Sequence, residues 1–332
     1  MATIHVKAAA TGGGNGSSGF PYTLQEAFDN VAAGDEIRVW ADSTYSVGAQ
    51  IDIDTTAGTA ALPIVVNGAN ASGTVDGTRP VLQASAAIGR ILYIDALADY
   101  YRINSLDFDG NSNATAIVDT ANVATAGVTF HRCKLHGATG YGLYSNGFVF
   151  QLFDCDIYGN GSDGCKGNIN LGFRAISYCR IHDNGGVGVA LGRPAQILAG
   201  NHIYDNGGHG IVWGGAVGNV VWVITENTVY GNGGSGLYIG ENQHMGGGIV
   251  TNNSFVANGA YGVALNAKIV SLIVFDNNHT HGNTSGACDG TLPGSSNQTG
   301  DPLFASVTDG SEDFTPGTGS PLLAAGLDAG SA

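Results

Sequence analysis

The sequence predicts an all-β chain wound as a parallel β-helix, a solenoid of short strands joined by tight turns. Three observations predict it: a glycine excess, a repeat of 22–26 residues, and two columns of small polar or thiol side chains inside that repeat. Glycine supplies 54 of 332 residues, where an average chain holds about 7%. Charged residues make up 12% and hydrophobic residues 43%, against roughly 25% charged in an ordinary domain. That apolar content is enough for a core and argues against general disorder. The low proline count and the lack of a three-residue glycine period exclude collagen. No apolar run approaches the ~18 residues of a membrane helix, and so much glycine disfavours a helical bundle.

In chain order, the first element is an amphipathic helix over Tyr22–Ala32, with Leu24, Ala27, Phe28 and Val31 on one face. Thr23 and Glu26 have the spacing of a capping box. An open solenoid end is an unpaired sheet edge, and this helix is expected to cover it. Gly34–Val39 then reads as the first strand. The coils follow, marked by Gly142, Gly164, Gly188, Gly210, Gly236, Gly262 and Gly286 at spacings of 22, 24, 22, 26, 26 and 24. Such a period, with loops of varying length, fits one solenoid coil per repeat. Leucine-rich repeats share the period, but their dense leucine frame is missing.

Within each coil, apolar residues alternate on both sides of an Asn-Gly turn. Val189/Leu191, Ile211/Trp213, Leu237/Ile239 and Val263/Leu265 follow the turn; Cys155/Ile157, Cys179/Ile181, Asn201/Ile203, Asn227/Val229 and Asn253/Phe255 precede it. This is the two-residue period of a strand with one face inward. Asn160, Asn184, Asn206, Asn232, Asn258 and Asn283 form one column, where Asn suits a left-handed turn and stacked amides can bond along the axis. A second column runs Cys133, Cys155, Cys179, Asn201, Asn227, Asn253 and Asn278. Its cysteines are expected to be reduced and buried, acting as small apolar side chains. Five cysteines without a CxxC pair fit neither a disulfide framework nor a zinc site. Residues 1–40 thus form the cap and first strand, 41–288 the coils, and 289–332 a turn-rich tail packing on the last coils, in one structural domain.

The Asn-Gly-x-x-Gly-Ile/Val/Leu coils, the opening TLQEAFDNVAAGDEIRV and the closing DPLF…DF…PGTGSPLLAAG resemble the right-handed parallel β-helix proteins of the pectin-lyase-like superfamily. The likeness covers the whole chain. It implies a single-stranded, right-handed solenoid with an N-terminal capping helix. That superfamily includes pectate lyases, polygalacturonases, alginate epimerases, phage tailspikes and other virion appendages, so the resemblance speaks to fold and not to activity. Gly208-His209-Gly210 looks like the Gly-His-Gly of polygalacturonases, but their Asn-Thr-Asp, Asp-Asp and Arg-Ile-Lys partners are missing. The epimerases' Asp-Pro-His-Glu motif is missing too, as are the clustered aspartates and strand-borne base of calcium-dependent pectate lyases.

The candidate catalytic residues are Asp183, Asp205, His182, His209 and Arg180. Asp183 and Asp205 occupy equivalent positions on successive coils, about 5 Å apart at the backbone. That approaches the ~5–5.5 Å carboxyl spacing of retaining glycosidases. The pair is also a starting point for a calcium site, although no cofactor is required by the sequence. The plainer reading is an Asp bonded to its own turn. Arg180 and Arg193 are the nearest cations for lyase chemistry. His136, Tyr158, Tyr204 and Tyr230 make an aromatic strip that could hold a glycan or simply stabilise the stack. Tyr144, Val212 and Tyr238 lie on a mostly uncharged outward column and are expected at an interface.

Net charge is −15, from 27 acids against 12 Lys and Arg. With so few bases, nucleic acid is excluded as a partner. The expected function is a non-enzymatic phage virion component (spike, fibre or decoration protein) with a glycan-binding role. The expected partners are further copies of the chain, a trimer among the options, or other virion proteins, together with a surface glycan; membrane insertion is not expected. The N-terminus shows no apolar leader, which points to assembly in the host cytoplasm, with secretion only if a leader has been removed. The alternative is a polysaccharide lyase or glycoside hydrolase.

Overall fold

The computed structural model describes residues 1–54, 56–95, 98–120, 127–146, 150–167, 173–192, 197–213, 222–240, 248–265 and 273–324. They form two compact units, residues 1–162 with 171–173, and residues 163–170 with 174–332. Each is a right-handed parallel β-solenoid whose coils visit three sheets in turn. In the first unit one coil runs through Val128–His131 in sheet one, Lys134–His136 in sheet two and Tyr141–Ser145 in sheet three. In the second unit an equivalent coil uses Trp222–Thr225, Thr228–Tyr230 and Leu237–Ile239. In Val128–His131, Lys134–His136, Trp222–Thr225 and Leu237–Ile239 the inward residues are buried and the outward ones half-buried, as the alternation requires.

Both polar columns stack as the sequence predicts. Asn184 donates through Nδ2 to Asn206 Oδ1 at 2.9 Å, and the same bond continues through Asn232, Asn258 and Asn283. The parallel ladder runs Asn201, Asn227, Asn253 and Asn278. These amides also donate to strand carbonyls, so a fully buried polar group is satisfied on every side. The column changes from thiol to amide where the Cys179 N–H donates to Asn201 Oδ1 at 2.9 Å. Cys133, Cys155 and Cys179 are buried thiols, and burial pushes the Cys133 thiol well up.

The helix spans Leu24–Asn30 and buries Leu24, Ala27 and Phe28. Its capping box is formed: Glu26 N–H donates to Thr23 Oγ1, and Thr23 N–H to Glu26 Oε2. Glu26 also accepts the Gly13 N–H at 2.6 Å, tying down the glycine-rich segment before the helix. The first strand is not Gly34–Val39. Thr3–Val6 precedes it and pairs in parallel with Glu36–Trp40, in register Ile4↔Ile37 and Val6↔Val39. Ile4 and Val6 fill inward positions, a two-residue alternation too short to stand out in the sequence.

The tail leaves the coils by pairing Gln298 with His279 and lending Asn297 Oδ1 to the Asn278 N–H. It then forms an antiparallel hairpin, Phe304–Ser306 with Asp313–Pro316. Phe314 packs against rings of the strands His202–Tyr204 and Thr228–Tyr230. The tail therefore engages earlier coils of its unit as well as the last one.

Candidate functional site

In the second unit, Arg180–His182 pairs with His202–Tyr204 in register Arg180↔His202 and His182↔Tyr204. Asp183 and Asp205 come next, each in the left-handed region at φ 52° and 50°. The same turn position holds Gly137, Gly159, Gly231, Ala257 and Gly282, all at positive φ. This backbone demand explains the glycines, and Asp is among the few other residues that meet it without difficulty. At Gly231 the Asp205 carboxylate lies where a Cβ would stand, so a larger residue there would have to displace that side chain.

Asp183 is 49% exposed and its Oδ2 lies 2.7 Å from His182 Nδ1. The carboxylate thus engages the neighbouring imidazole. Asp205 is half-buried, and its carboxyl is pushed up to about 6, first by burial and then by Asp183, Glu312 and Asp309, with His182 pulling the other way. Asp309 and Glu312 belong to the tail hairpin and carried no signal in the sequence. Arg180 is exposed, and Arg193 lies outside the described residues. His209 does not join the pair: its Nδ1 accepts the Ser235 N–H at 2.8 Å and its ring stacks on Tyr238 at 4.8 Å. Burial lowers its pKa. Among the described residues, no group of three or more His, Cys, Asp or Glu side chains is arranged to hold a metal ion, so the calcium expectation finds no ligand set there.

The aromatic strip is not an open platform. His182 and Tyr204 stack with centroids 4.6 Å apart and planes at 3°. In the first unit His136 and Tyr158 stack at 4.7 Å and 10°. Rings that face one another across a 4.8 Å strand spacing turn edges outward, whereas sugar stacking needs an exposed face. Tyr204 is also only 3% exposed, and Tyr230 packs on Phe304 and Phe314. Each of the four residues thus has a ring contact within the fold.

Sequence reasoning missed a polar cluster around His136 in the first unit. His136 Nε2 lies 2.9 Å from Asp107 Oδ1, and Nδ1 lies 3.7 Å from Asp109 Oδ1. Gln83 Nε2 donates to Asp109 Oδ2 at 2.7 Å, and Lys134 Nζ lies 5.9 Å from the Tyr158 ring centroid. These are outward residues of Val81–Ala84, Asp107–Asp109, Lys134–His136 and Asp156–Tyr158, neighbours in sheet two. The legible signal was the alternation Asp-Phe-Asp and Lys-Leu-His, but the early coils lack the Asn-Gly marker that aligns the later ones.

The expected interface residues are each half-buried in their own unit. Lys166, Ala190, Val212, Tyr238 and Ala264 do form one outward column of sheet three. In the first unit, however, Tyr144 aligns with Asp119, Tyr93 and Asp52, and Arg90 pairs with Asp119 at 2.5 Å, so that part of the column is charged. The second unit carries a more exposed apolar column on sheet one: Ile197, Val223, Ile249 and Val274 in register, with Ile197 46% and Val274 57% exposed.

This architecture defines a right-handed β-helix protein, and comparison agrees. Residues 115–266 match the family described as "Right handed beta helix region". No curated protein matches the sequence. Among solved structures, the chain is similar to pectate lyase Pel9A, at 20% identity over 97% of this chain and 90% of that one, with a TM-score of 0.68. It is similar to a rhamnogalacturonan lyase at 14% identity, over 93% and 91%, with a TM-score of 0.60. An alginate lyase from Paenibacillus sp. str. FPU-7 aligns at 16% identity, over 90% and 98%, with a TM-score of 0.54. At these identities the likeness is one of fold. No helix among the described residues is long and apolar enough to cross a membrane.

Proposed function

We propose that the protein is a carbohydrate-directed β-helix with a structural role, a component of a virion appendage rather than an enzyme. The observation that carries this reading is the engagement of its chemistry-bearing side chains by the fold. Asp183 is bonded to His182, His182 stacks on Tyr204, and Tyr204 and Tyr230 pack under Phe314. A polysaccharide as target draws support from solved structures of the same fold that are a pectate, a rhamnogalacturonan and an alginate lyase. The Asp107, Asp109, Lys134, His136 and Gln83 cluster offers the donors and acceptors that sugar hydroxyls need. Self-association through the face of Tyr144, Val212 and Tyr238 belongs to the same reading.

The test is a panel of acidic and neutral polysaccharides, scored for retention on the protein, for new reducing ends and for absorbance of unsaturated uronate. Binding without cleavage is expected, with or without calcium. Binding lost in Lys134→Ala would place the glycan at that cluster.

One observation favours a hydrolase as the second reading. Asp205 is pushed up to about 6 beside Asp183, on an adjacent coil. Carboxyls whose environments separate their protonation states are the usual acid and base of glycoside hydrolysis. New reducing ends that vanish in Asp205→Asn would establish that reading and overturn the first.

A further inference from the structure

In the first unit the three sheets begin at Thr3–Val6, Tyr45–Val47 and Ile51–Ile53, each the end strand of its sheet. Glu36, Ser85 and Asp95 donate their N–H groups to the Ala2, Val47 and Ile53 oxygens, so those three residues face the next coil. By the alternation of a parallel ladder, His5, Ser46 and Asp52 turn their N–H and C=O groups the other way. Two of these three edges are closed. His5 N–H donates to Gly16 O at 2.8 Å, and His5 O accepts the Tyr22 N–H at 3.0 Å. At Asp52 the Gln25 side chain takes the place of a strand: its Oε1 accepts the Asp52 N–H at 2.8 Å, and its Nε2 donates to Asp52 O at 3.0 Å. Ser46 is exposed, and among the described residues nothing takes the corresponding place beside it. We propose that this edge receives an extended, acidic segment of a partner protein by strand addition, with a carboxylate of that segment drawn to Lys7.

The open edge lines a cavity of about 340 Å3, bounded also by Lys7, Thr23, Gln25, Gly48 and Gln50. One water takes about 30 Å3 of the liquid, so the space has room for more than a single bridging solvent molecule. Lys7 is the only charged residue on its lining. A second cavity, of about 270 Å3, shares Lys7 and Ala10 and reaches Gly13 and Phe20, again with Lys7 as its only charged lining residue. Lys7 Nζ rests 3.9 Å from the centroid of the Trp40 ring, and among the described residues no carboxylate forms an ion pair with it. The neighbouring acids are engaged elsewhere. Asp42 accepts the Ala8 N–H, Asp52 accepts from the Gln50 amide, and Glu26 accepts the Gly13 and Thr23 N–H groups. What the Ser46 edge lacks is one acceptor and one donor at strand spacing, and an extended main chain supplies both. An unpaired cation at that place selects for a carboxylate and against a basic segment. A second copy is the poorer occupant, because chains of net charge −15 repel one another. The inference goes beyond the proposed function and does not rest on it.

The test uses the full chain and an N-acetylated, C-amidated pentapeptide, Thr-Val-Asp-Val-Thr, which favours an extended form and carries one carboxylate. Its Thr-Val-Asn-Val-Thr counterpart is the uncharged control. Binding is followed by fluorescence anisotropy of labelled peptide and by hydrogen exchange at the Ser46 amide. The acidic peptide is expected to bind and to slow exchange at Ser46. The control peptide should bind about fivefold more weakly, and Lys7→Gln should weaken the acidic peptide to the same degree. Ser46→Pro removes the donor from an edge strand without touching the ladder to Val81–Ala84, and should abolish binding. Should Ser46→Pro fail to fold, the acidic peptide N-methylated along its main chain replaces that variant, and it should not bind. Unchanged Ser46 exchange in the presence of the acidic peptide would overturn the proposal. So would equal binding of the two peptides, or Ser46 protection that rises with protein concentration in the absence of peptide, which would give the edge to a second copy.

Discussion

Asn206 shows how one residue holds a coil. Its amide donates to the Ile181 and Tyr204 carbonyls and to Asn232 Oδ1, while its own Oδ1 accepts from Asn184. The residue is 1% exposed, so these bonds are shielded from solvent in the intact coil. Asn206→Ala should therefore cost about 2–3 kcal/mol, since it strands buried partners as well as removing a bond. A urea titration would register this as a lower midpoint with little change in slope. The ladder was legible because a turn residue recurs at a fixed place in each coil. Asp183 and Asp205 were legible as a local departure from glycine, but their partners were not. His182 Nδ1 is one residue from Asp183, whereas Asp309 and Glu312 reach Asp205 from about a hundred residues further on.

The elements differ in how far local sequence determines them. The helix Leu24–Asn30 carries its own start signal in Thr23 and Glu26, and that box forms as spaced. The tail hairpin has no comparable signature, and its place depends on Phe314 meeting rings of two coil strands. Phe314→Ala should accordingly cost about 3 kcal/mol of tail docking, in the range of buried Phe truncations. Near-ultraviolet circular dichroism, which senses the packed tyrosines, should lose intensity while the far-ultraviolet β signal is kept. An unchanged tyrosine signal would show that Phe314 does not hold the hairpin.

At the scale of the whole molecule, a chain of net charge −15 repels its own copies. Association through sparsely charged faces is therefore expected to strengthen with salt, which screens that repulsion. Light scattering should give a mass above the 33.7 kDa of one chain, rising with ionic strength; a constant monomer mass would sink the assembly reading. Val212→Lys and Ile197→Lys then tell apart the sheet-three and sheet-one columns. By itself the sequence determined the solenoid, its turn ladders, the buried thiols and the capped helix, because each arises from neighbours along the chain repeated at one period. Only the tertiary structure decided which outward residues meet: the Thr3–Val6 strand that precedes the helix, the acids around His136, and the hairpin over Tyr204. Those contacts depend on register between coils of unequal length and on where the tail returns, and neither is written in any local pattern.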